Sequence, residues 1–108
     1  MAATGATFSA EEVEEGAKLL AGDKFALHAA ARSGDLHKVR QLIAANANVN
    51  APSWNDGTPL HDATENGREA VVRELLEAGA DTEAQNELMY TPLHMAASLG
   101  PRPYTLTP

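Results

Sequence analysis

Thr58-Pro59-Leu60-His61-Asp62-Ala63 is the stretch of this 108-residue chain that decides its fold, because it recurs as Thr91-Pro92-Leu93-His94-Met95-Ala96. Five of the six aligned residues are identical at an offset of 33 residues. Chance gives such agreement on the order of once in a million alignments at average residue frequencies. The same offset taken backwards reaches Ala26-Leu27-His28-Ala29-Ala30, and beyond the motif it aligns Gly34 with Gly67. The chain is therefore built from a repeated structural unit.

Within one unit the residues predict two helices and a loop. Thr58 is a good N-cap, Pro59 suits the first helical position, and His61 lies where its ring can bond back to the cap. Gly67 can adopt the left-handed conformation that ends this helix. A second helix follows, with an aliphatic stripe at the spacing of a packed helix face: Val71, Val72, Leu75 and Leu76. The segment 80–90 then returns the chain to the next unit.

This pattern resembles the ankyrin repeat. The unit at 58–81 carries TPLH-x-A, a glycine six residues after the histidine, a V-V-x-x-L-L helix and a G-A-D segment. The resemblance covers residues 24–100 and implies an all-α fold, an ankyrin-repeat helical solenoid with β-hairpin-like loops. The organisation that follows is an N-terminal segment with a capping helix (1–23), a degenerate first repeat (24–57), a second repeat (58–90), the first helix of a truncated third repeat (91–100) and a Pro-rich tail (101–108).

The first repeat and the segment before it depart from the family pattern. Phe25 and Ala26 stand where Thr and Pro are expected, and Asn46 replaces a glycine but can still adopt the left-handed conformation. Ser9 and Glu12 predict a capping box at the start of a preceding helix. That helix carries an apolar stripe: Val13, Ala17 and Leu20. We expect it to shield the first repeat from water, with a partner-binding helix as the alternative.

The end of the chain also breaks the pattern. Pro101 and Pro103 follow Gly100, so we expect no second helix in the third unit. The stripe of the second unit would then lose the neighbour that normally covers it: Val72, Leu75 and Leu76. Two alternatives remain open: the chain is a fragment or short form of a longer repeat array, or the Pro-rich tail folds back as an improvised cap.

Composition and charge exclude several classes of function. Eight Lys and Arg against fifteen Asp and Glu give a net charge of -7, which repels phosphate backbones and anionic lipid head groups. We therefore expect no nucleic-acid and no membrane partner. The chain has no cysteine, which excludes a disulfide framework and a thiolate nucleophile. The start of the sequence has no apolar targeting segment, so we expect a cytoplasmic or nuclear location. We also expect the chain to be a monomer.

The histidines are better explained by structure than by metal binding. His28, His61 and His94 occur once per unit, whereas histidine ligands on one helix are typically spaced i, i+4. His37 lies on a polar stretch and is expected to be solvated. No nucleophile has a recognisable base-bearing motif and no glycine run could cradle phosphate. We therefore predict no metal, no cofactor and no enzymatic activity.

The loops and the acidic second repeat point to protein binding. Large apolar residues fall in the two loops, and the family resemblance implies that loop tips and first helices form the concave ligand surface. Residues 58–90 carry eight acids and two bases, which favours a partner with a basic segment, the alternative being a solvated face. Trp54 and Tyr90 could instead pack across adjacent loops. The predicted partner-binding residues are Trp54, Asn55, Asp62, Glu65, Asn66, Leu88, Met89 and Tyr90.

We therefore predict a non-catalytic protein-protein interaction module. The alternative is a fragment or short form of a longer ankyrin scaffold with a purely structural role. Asn50 is a further candidate, for modification, because the family's asparagine-hydroxylation pattern wants a leucine eight residues earlier and an aliphatic residue just before the asparagine. Leu42 and Val49 meet those two requirements, but Asn48 replaces the expected acid.

Overall fold

The computed structural model describes residues 8–98 of the chain, and these residues form helices joined by turns, with no β-strand among them. The helices are α1 (Ala10–Gly22), α2 (Ala26–Ser33), α3 (Leu36–Ala44), α4 (Pro59–Glu65), α5 (Glu69–Glu77) and α6 (Pro92–Ser98). The predicted all-α fold is therefore confirmed. The prediction that no outer helix follows Gly100 concerns residues outside the described range.

The helices are stacked in two layers. The inner layer consists of α2, α4 and α6, and the outer layer consists of α1, α3 and α5. The inner helices α2 and α4 turn into the outer helices α3 and α5 at glycines in the left-handed region, Gly34 at φ 80° and Gly67 at φ 68°. Asn46 takes the same conformation after α3, at φ 72°, as its predicted capping role requires.

The core between the layers is made of small aliphatic side chains. Leu42, Val39, Leu75 and Val71 are fully buried where the outer helices face the inner ones. The expectation that Leu75 loses its cover is therefore wrong, because α5 packs against both α3 and α4. In the rest of that stripe Val72 is half-buried, and Leu76 is exposed as expected.

Inner helix α4 begins at the predicted cap. The Thr58 side chain accepts a hydrogen bond from the backbone N–H of His61, and the His61 ring accepts one from the backbone N–H of Thr58 at 3.0 Å. Thr91 and His94 repeat the arrangement at the start of α6. In the first unit the N-cap residue Phe25 makes no side-chain cap, so the degenerate repeat lacks this feature.

Helix α1 packs closely against α3 of the outer layer at a glycine, Gly16. Its capping box of Ser9 and Glu12 is present, as predicted. The residue that α1 buries is Gly16, where an added Cβ would lie 3.0 Å from the carbonyl oxygen of Gln41 in α3. The predicted stripe is therefore partly wrong: Ala17 is exposed, because the close approach of the two backbones turns the Gly16 side of α1 inward.

Candidate functional site

The two loops that join consecutive units form equivalent hairpin turns. Ser53 N–H donates to the carbonyl oxygen of Gly57 at 2.8 Å, and Asn86 N–H donates to that of Tyr90 at 3.0 Å. Both pairs are related by the 33-residue offset. Asp56 and Met89 are related in the same way and share a left-handed backbone, at φ 64° and 65°. We name the turns hairpin 1 (51–57) and hairpin 2 (84–90).

Large apolar side chains extend from both hairpin tips into solvent. Trp54 on hairpin 1 is 79% exposed, and on hairpin 2 Leu88 and Met89 are 65% and 67% exposed. The tips are held side by side, because the Glu87 N–H donates to the carbonyl oxygen of Asn55 at 2.8 Å. Water solvates these apolar groups poorly, so a surface that keeps them together is suited to contact with another molecule.

Hairpin 2 is fixed from inside by buried polar groups. The Asn86 side-chain oxygen accepts hydrogen bonds from the N–H groups of Leu88, at 2.9 Å, and Tyr90, at 3.1 Å. The Nε2 atom of His61 lies 2.7 Å from the carbonyl oxygen of Tyr90. Since Nδ1 of that ring accepts from the Thr58 N–H, Nε2 carries the proton and donates it. The exposed tip is thus rigidly attached to α4.

Hairpin 1 has a comparable internal frame. The side-chain oxygen of Asn55 lies 2.6 Å from the hydroxyl of Ser53 and accepts the N–H of Gly57 at 3.0 Å. The buried His28 ring bonds through Nε2 to the carbonyl oxygen of Ala51 at 2.7 Å. Among the predicted binding residues, Asn55 therefore has a role in shaping the turn that presents Trp54.

The Trp54 side chain faces the inner layer across a shallow recess of about 220 Å³. Its lining includes Phe25, Ala29 and Arg32, which the sequence did not identify as binding residues. The repeat register could have found the two residues of α2, because Ala29 is the counterpart of Asp62 and Arg32 that of Glu65. The recess brings hairpin 1 and the exposed face of the inner layer together in one surface.

Asp62 on α4 interacts electrostatically with the neighbouring inner helix α2. Its carboxylate lies 3.6 Å from the guanidinium of Arg32, and its backbone carbonyl accepts the side-chain amide of Asn66 at 2.8 Å. Burial raises the pKa of Asp62 above its ordinary value of 3.8, while the Arg32 charge opposes that shift. Glu65 and Asn66 are exposed on the same helix.

The geometry agrees with a comparison against protein families. A family model described as "Ankyrin repeats (3 copies)" matches residues 9–86 and also residues 27–104. The chain belongs to the ankyrin repeat family. A search of curated proteins found no match. Ankyrin repeats generally mediate protein-protein interactions and the family is typically non-catalytic. The first match begins at residue 9, which includes α1 in the ankyrin array.

The structure also bears on the surroundings of Tyr90 and on membrane-spanning helices. The Tyr90 ring lies 6.0 Å from the His94 ring, and Trp54 is 79% exposed. Packing of Trp54 and Tyr90 across the adjacent loops stays a prediction. None of the helices in the described range has the length and apolar character needed to cross a bilayer.

Asn50, the candidate for modification, ties neighbouring ankyrin repeats together. Its side-chain oxygen accepts the N–H of Asp81 at 2.7 Å, and its side-chain nitrogen lies 3.4 Å from the carbonyl oxygen of Gly79. The residue is exposed, but its amide group already has an inter-repeat role. Hydroxylation of Asn50 stays a prediction.

Proposed function

We propose that this ankyrin domain binds a partner protein through its hairpin tips and the concave face of its inner helices. The observation that carries the proposal is the exposure of Trp54, Leu88 and Met89 on turns held by partly buried hydrogen bonds. A rigid tip loses little conformational entropy when it is covered, so its apolar area contributes more fully to affinity. We define these three residues as the apolar tips.

The apolar tips are proposed to be the main source of binding energy. Tryptophan is enriched at binding hot spots, and methionine adapts to irregular apolar surfaces. Tyr90 has two roles, because its carbonyl oxygen accepts the bond from His61 while its side chain remains 40% exposed. Truncating Trp54 to alanine should weaken binding by at least ~1 kcal/mol with the fold retained.

The charge of the inner layer favours a basic segment of the partner. Glu65 and Asn66 are exposed beside Asp62, whose carboxylate is shared with Arg32. That ion pair is partly exposed, so it stabilises the fold only weakly and a cation from the partner can compete for the carboxylate. The remaining acids of the second repeat attract such a segment from a distance and speed its association.

The proposal can be tested by quantitative affinity purification from the cells that produce the chain. The bait is compared with two variants: Trp54→Ala combined with Met89→Ala, and the charge reversal Glu65→Lys. Leu93→Asp serves as the matched control, since Leu93 is an equally exposed apolar residue outside the apolar tips. A partner that binds at the proposed surface is lost with the tip variant, weakened with Glu65→Lys and retained with the control.

Recovery of the same proteins in equal amount with the wild type and the tip variant would refute the proposal. Each variant must show wild-type far-UV circular dichroism for the comparison to count. Binding that depends on Leu93 instead would place the partner elsewhere on the molecule.

A purely structural role within a longer ankyrin scaffold is the second candidate. It is favoured by the exposure of Leu76 and Leu93, which lie where a further repeat would pack. A monomeric chain that melts cooperatively and binds a partner through the apolar tips would argue against this candidate. Aggregation that is relieved by Leu76→Ser would support it.

A further inference from the structure

His28 and its counterpart His61 are both buried, but their rings are bonded differently. Each ring bonds through Nε2 to a carbonyl oxygen of a hairpin at 2.7 Å. The Nδ1 atom of His61 also accepts from the Thr58 N–H and lies 3.0 Å from the Thr58 hydroxyl. Among the described residues, Nδ1 of His28 has no hydrogen-bond partner, although His28 is only 1% exposed. The first repeat therefore buries a polar atom that the second repeat pairs.

The difference arises at the N-cap residue of α2. Phe25 occupies the position that corresponds to Thr58, and its side chain has no hydroxyl. Its backbone N–H donates at 2.9 Å to a side-chain oxygen of Asp23 instead of to the ring. Because a carbonyl oxygen can only accept, Nε2 of His28 carries the proton, and Nδ1 of the neutral ring offers a lone pair. The buried Nδ1 atom thus lacks a hydrogen-bond donor.

The His28 ring also lines the recess beside hairpin 1. The Phe25 ring meets it edge-on, with the ring centroids 5.5 Å apart and the planes 88° apart. Trp54 supplies a second aromatic wall of the recess. Pockets that hold whole ligands are typically ~300–1,000 Å³, whereas this recess has a volume of about 220 Å³. The recess is therefore suited to a single side chain of a larger partner.

The chemistry of the recess favours a neutral aromatic donor. Two cations lie close to it, because Arg32 is part of its lining and Nζ of Lys24 lies 5.3 Å from the centre of the Phe25 ring. Against the single carboxylate of Asp23, these cations disfavour a lysine or an arginine of the partner. A carboxylate has no proton to donate to Nδ1, and serine or threonine would leave the aromatic walls uncovered. Tyrosine supplies both a ring and a hydroxyl donor.

We propose that this recess binds a tyrosine side chain of the partner, with its ring between Phe25 and Trp54 and its hydroxyl donating to Nδ1 of His28. The hydroxyl then has the role that the Thr58 hydroxyl has beside His61. The Phe25 side chain must rotate to admit it, which its half-buried position and the absence of a side-chain cap bond allow. The inference rests on the proposed function, because Trp54 is one of the apolar tips. It adds a tyrosine over the first repeat to the basic segment proposed for the second.

The test uses the full chain with nitrogen-15 in its histidine rings and two soluble probes, N-acetyl-tyrosinamide and N-acetyl-phenylalaninamide. The probes differ only by the hydroxyl. Each is titrated to about 10 mM, because a single side chain is expected to bind with a Kd of about 1 mM, and the ring nitrogens are followed by NMR. We expect the tyrosine probe to shift the Nδ1 resonance of His28 saturably. The phenylalanine probe should bind at least about fivefold more weakly and leave that resonance unshifted.

His61 is the internal control, because its Nδ1 atom already has partners and should respond to neither probe. Two substitutions at position 25 then separate the hydroxyl from the shape of the recess. Phe25→Thr supplies a hydroxyl to Nδ1 of His28, so the chain should lose its preference for the tyrosine probe. Phe25→Val has nearly the same shape as Phe25→Thr without the hydroxyl, and it should bind both probes more weakly but keep the preference. Trp54→Ala should also weaken both probes without changing the preference.

The proposal is overturned if the wild type binds the two probes equally, or if the tyrosine probe binds without shifting Nδ1 of His28. It is also overturned if Phe25→Val loses the preference as completely as Phe25→Thr, because the shape of the recess would then explain it. The proposed function fails separately, since it depends on partner loss with the tip variant. A partner lost with that variant but retained in full by Phe25→Thr would contradict tyrosine recognition and leave the apolar tips as the binding surface.

Discussion

Replacing His61 with glutamine should separate two roles that the imidazole combines. At the start of α4 the ring accepts the Thr58 N–H through Nδ1, and through Nε2 it donates to the carbonyl oxygen of Tyr90 at 2.7 Å. Glutamine three residues after a threonine cap can still bond back to the cap residue. The same glutamine side chain cannot also reach the Tyr90 carbonyl oxygen, to which the Nε2 atom of His61 donates in the wild type. The variant therefore keeps the helix cap and loses the bond to hairpin 2.

The expected loss of stability follows from the Tyr90 carbonyl oxygen, which loses its hydrogen-bond donor in the variant. The His61 ring is buried, so water does not freely replace the donor that the Tyr90 carbonyl loses. A fully buried polar group left without its partner costs about 1–3 kcal/mol, and the bond to the Tyr90 carbonyl is partly buried. The Asn86 N–H still bonds to the same carbonyl, which favours the lower half of that range. We expect the free energy of unfolding to fall by about 2 kcal/mol, including some lost packing.

Urea denaturation followed by far-UV circular dichroism measures the free energy of unfolding, and hydrogen exchange locates the change. His94→Gln is the matched control, because His94 makes the same cap with Thr91 but is exposed. It should cost less than about 0.5 kcal/mol, as exposed substitutions usually do. Amide protons of hairpin 2 should exchange faster in His61→Gln, while those of hairpin 1 should not change.

Equal destabilisation by the two substitutions would refute this reasoning, because it would mean that the cap carries the whole effect. Unchanged exchange in hairpin 2 would contradict the claim that His61 holds that hairpin to α4.

Three other predictions follow from buried contacts. Gly16→Leu should destabilise the chain by at least ~2 kcal/mol in urea denaturation, since its side chain would force α1 from α3; a near-neutral result would contradict the close packing. Arg40→Ala should cost about 3 kcal/mol by leaving the Glu74 carboxylate buried without its cation, and Glu74→Leu in the same chain should recover most of it; additive losses would argue against the pair. Burial raises the pKa of Asp62, so the folded state binds its proton more tightly than the unfolded state. Wild type should therefore gain stability relative to Asp62→Asn as the pH falls from 7 through the raised pKa towards 3.8, whereas a stability difference independent of pH would disprove the shift.

Much of the fold could be predicted from the sequence because its determinants are local. The cap at Thr58 and His61 depends on residues three positions apart. The left-handed conformation of Asn46 depends mainly on that residue alone, since a short polar side chain tolerates it. Both predictions are confirmed.

The predictions that were wrong concern side chains whose burial depends on contacts between segments far apart in the sequence. Leu75 is buried because α5 packs against both α3 and α4. The spacing of apolar residues along α5 does not show which of them these two helices cover. The inward side of α1 is set by the approach of Gly16 to α3. A glycine in a helix is usually taken as a weak point rather than a contact, so the apolar stripe with Ala17 was misleading.

The candidate site was predictable as a region but not atom by atom. Apolar residues in polar loops identified Trp54, Leu88 and Met89, and all three are exposed. The sequence did not predict that the Asn55 side chain shapes its turn, nor that a recess lies beside Arg32. Both features depend on the folded conformation of the loop and on its position against α2. Their roles in partner binding stay predictions.

Site-specific photo-crosslinking in the cells that produce the chain would test the binding surface most directly. A benzophenone amino acid is placed at position 54 on hairpin 1, at position 88 on hairpin 2, or at position 44, which is exposed on outer helix α3. We predict that positions 54 and 88 form a covalent adduct with one and the same partner protein, and that position 44 does not. Adducts at position 44 alone, or the same adducts at all three positions, would contradict recognition through the hairpin tips.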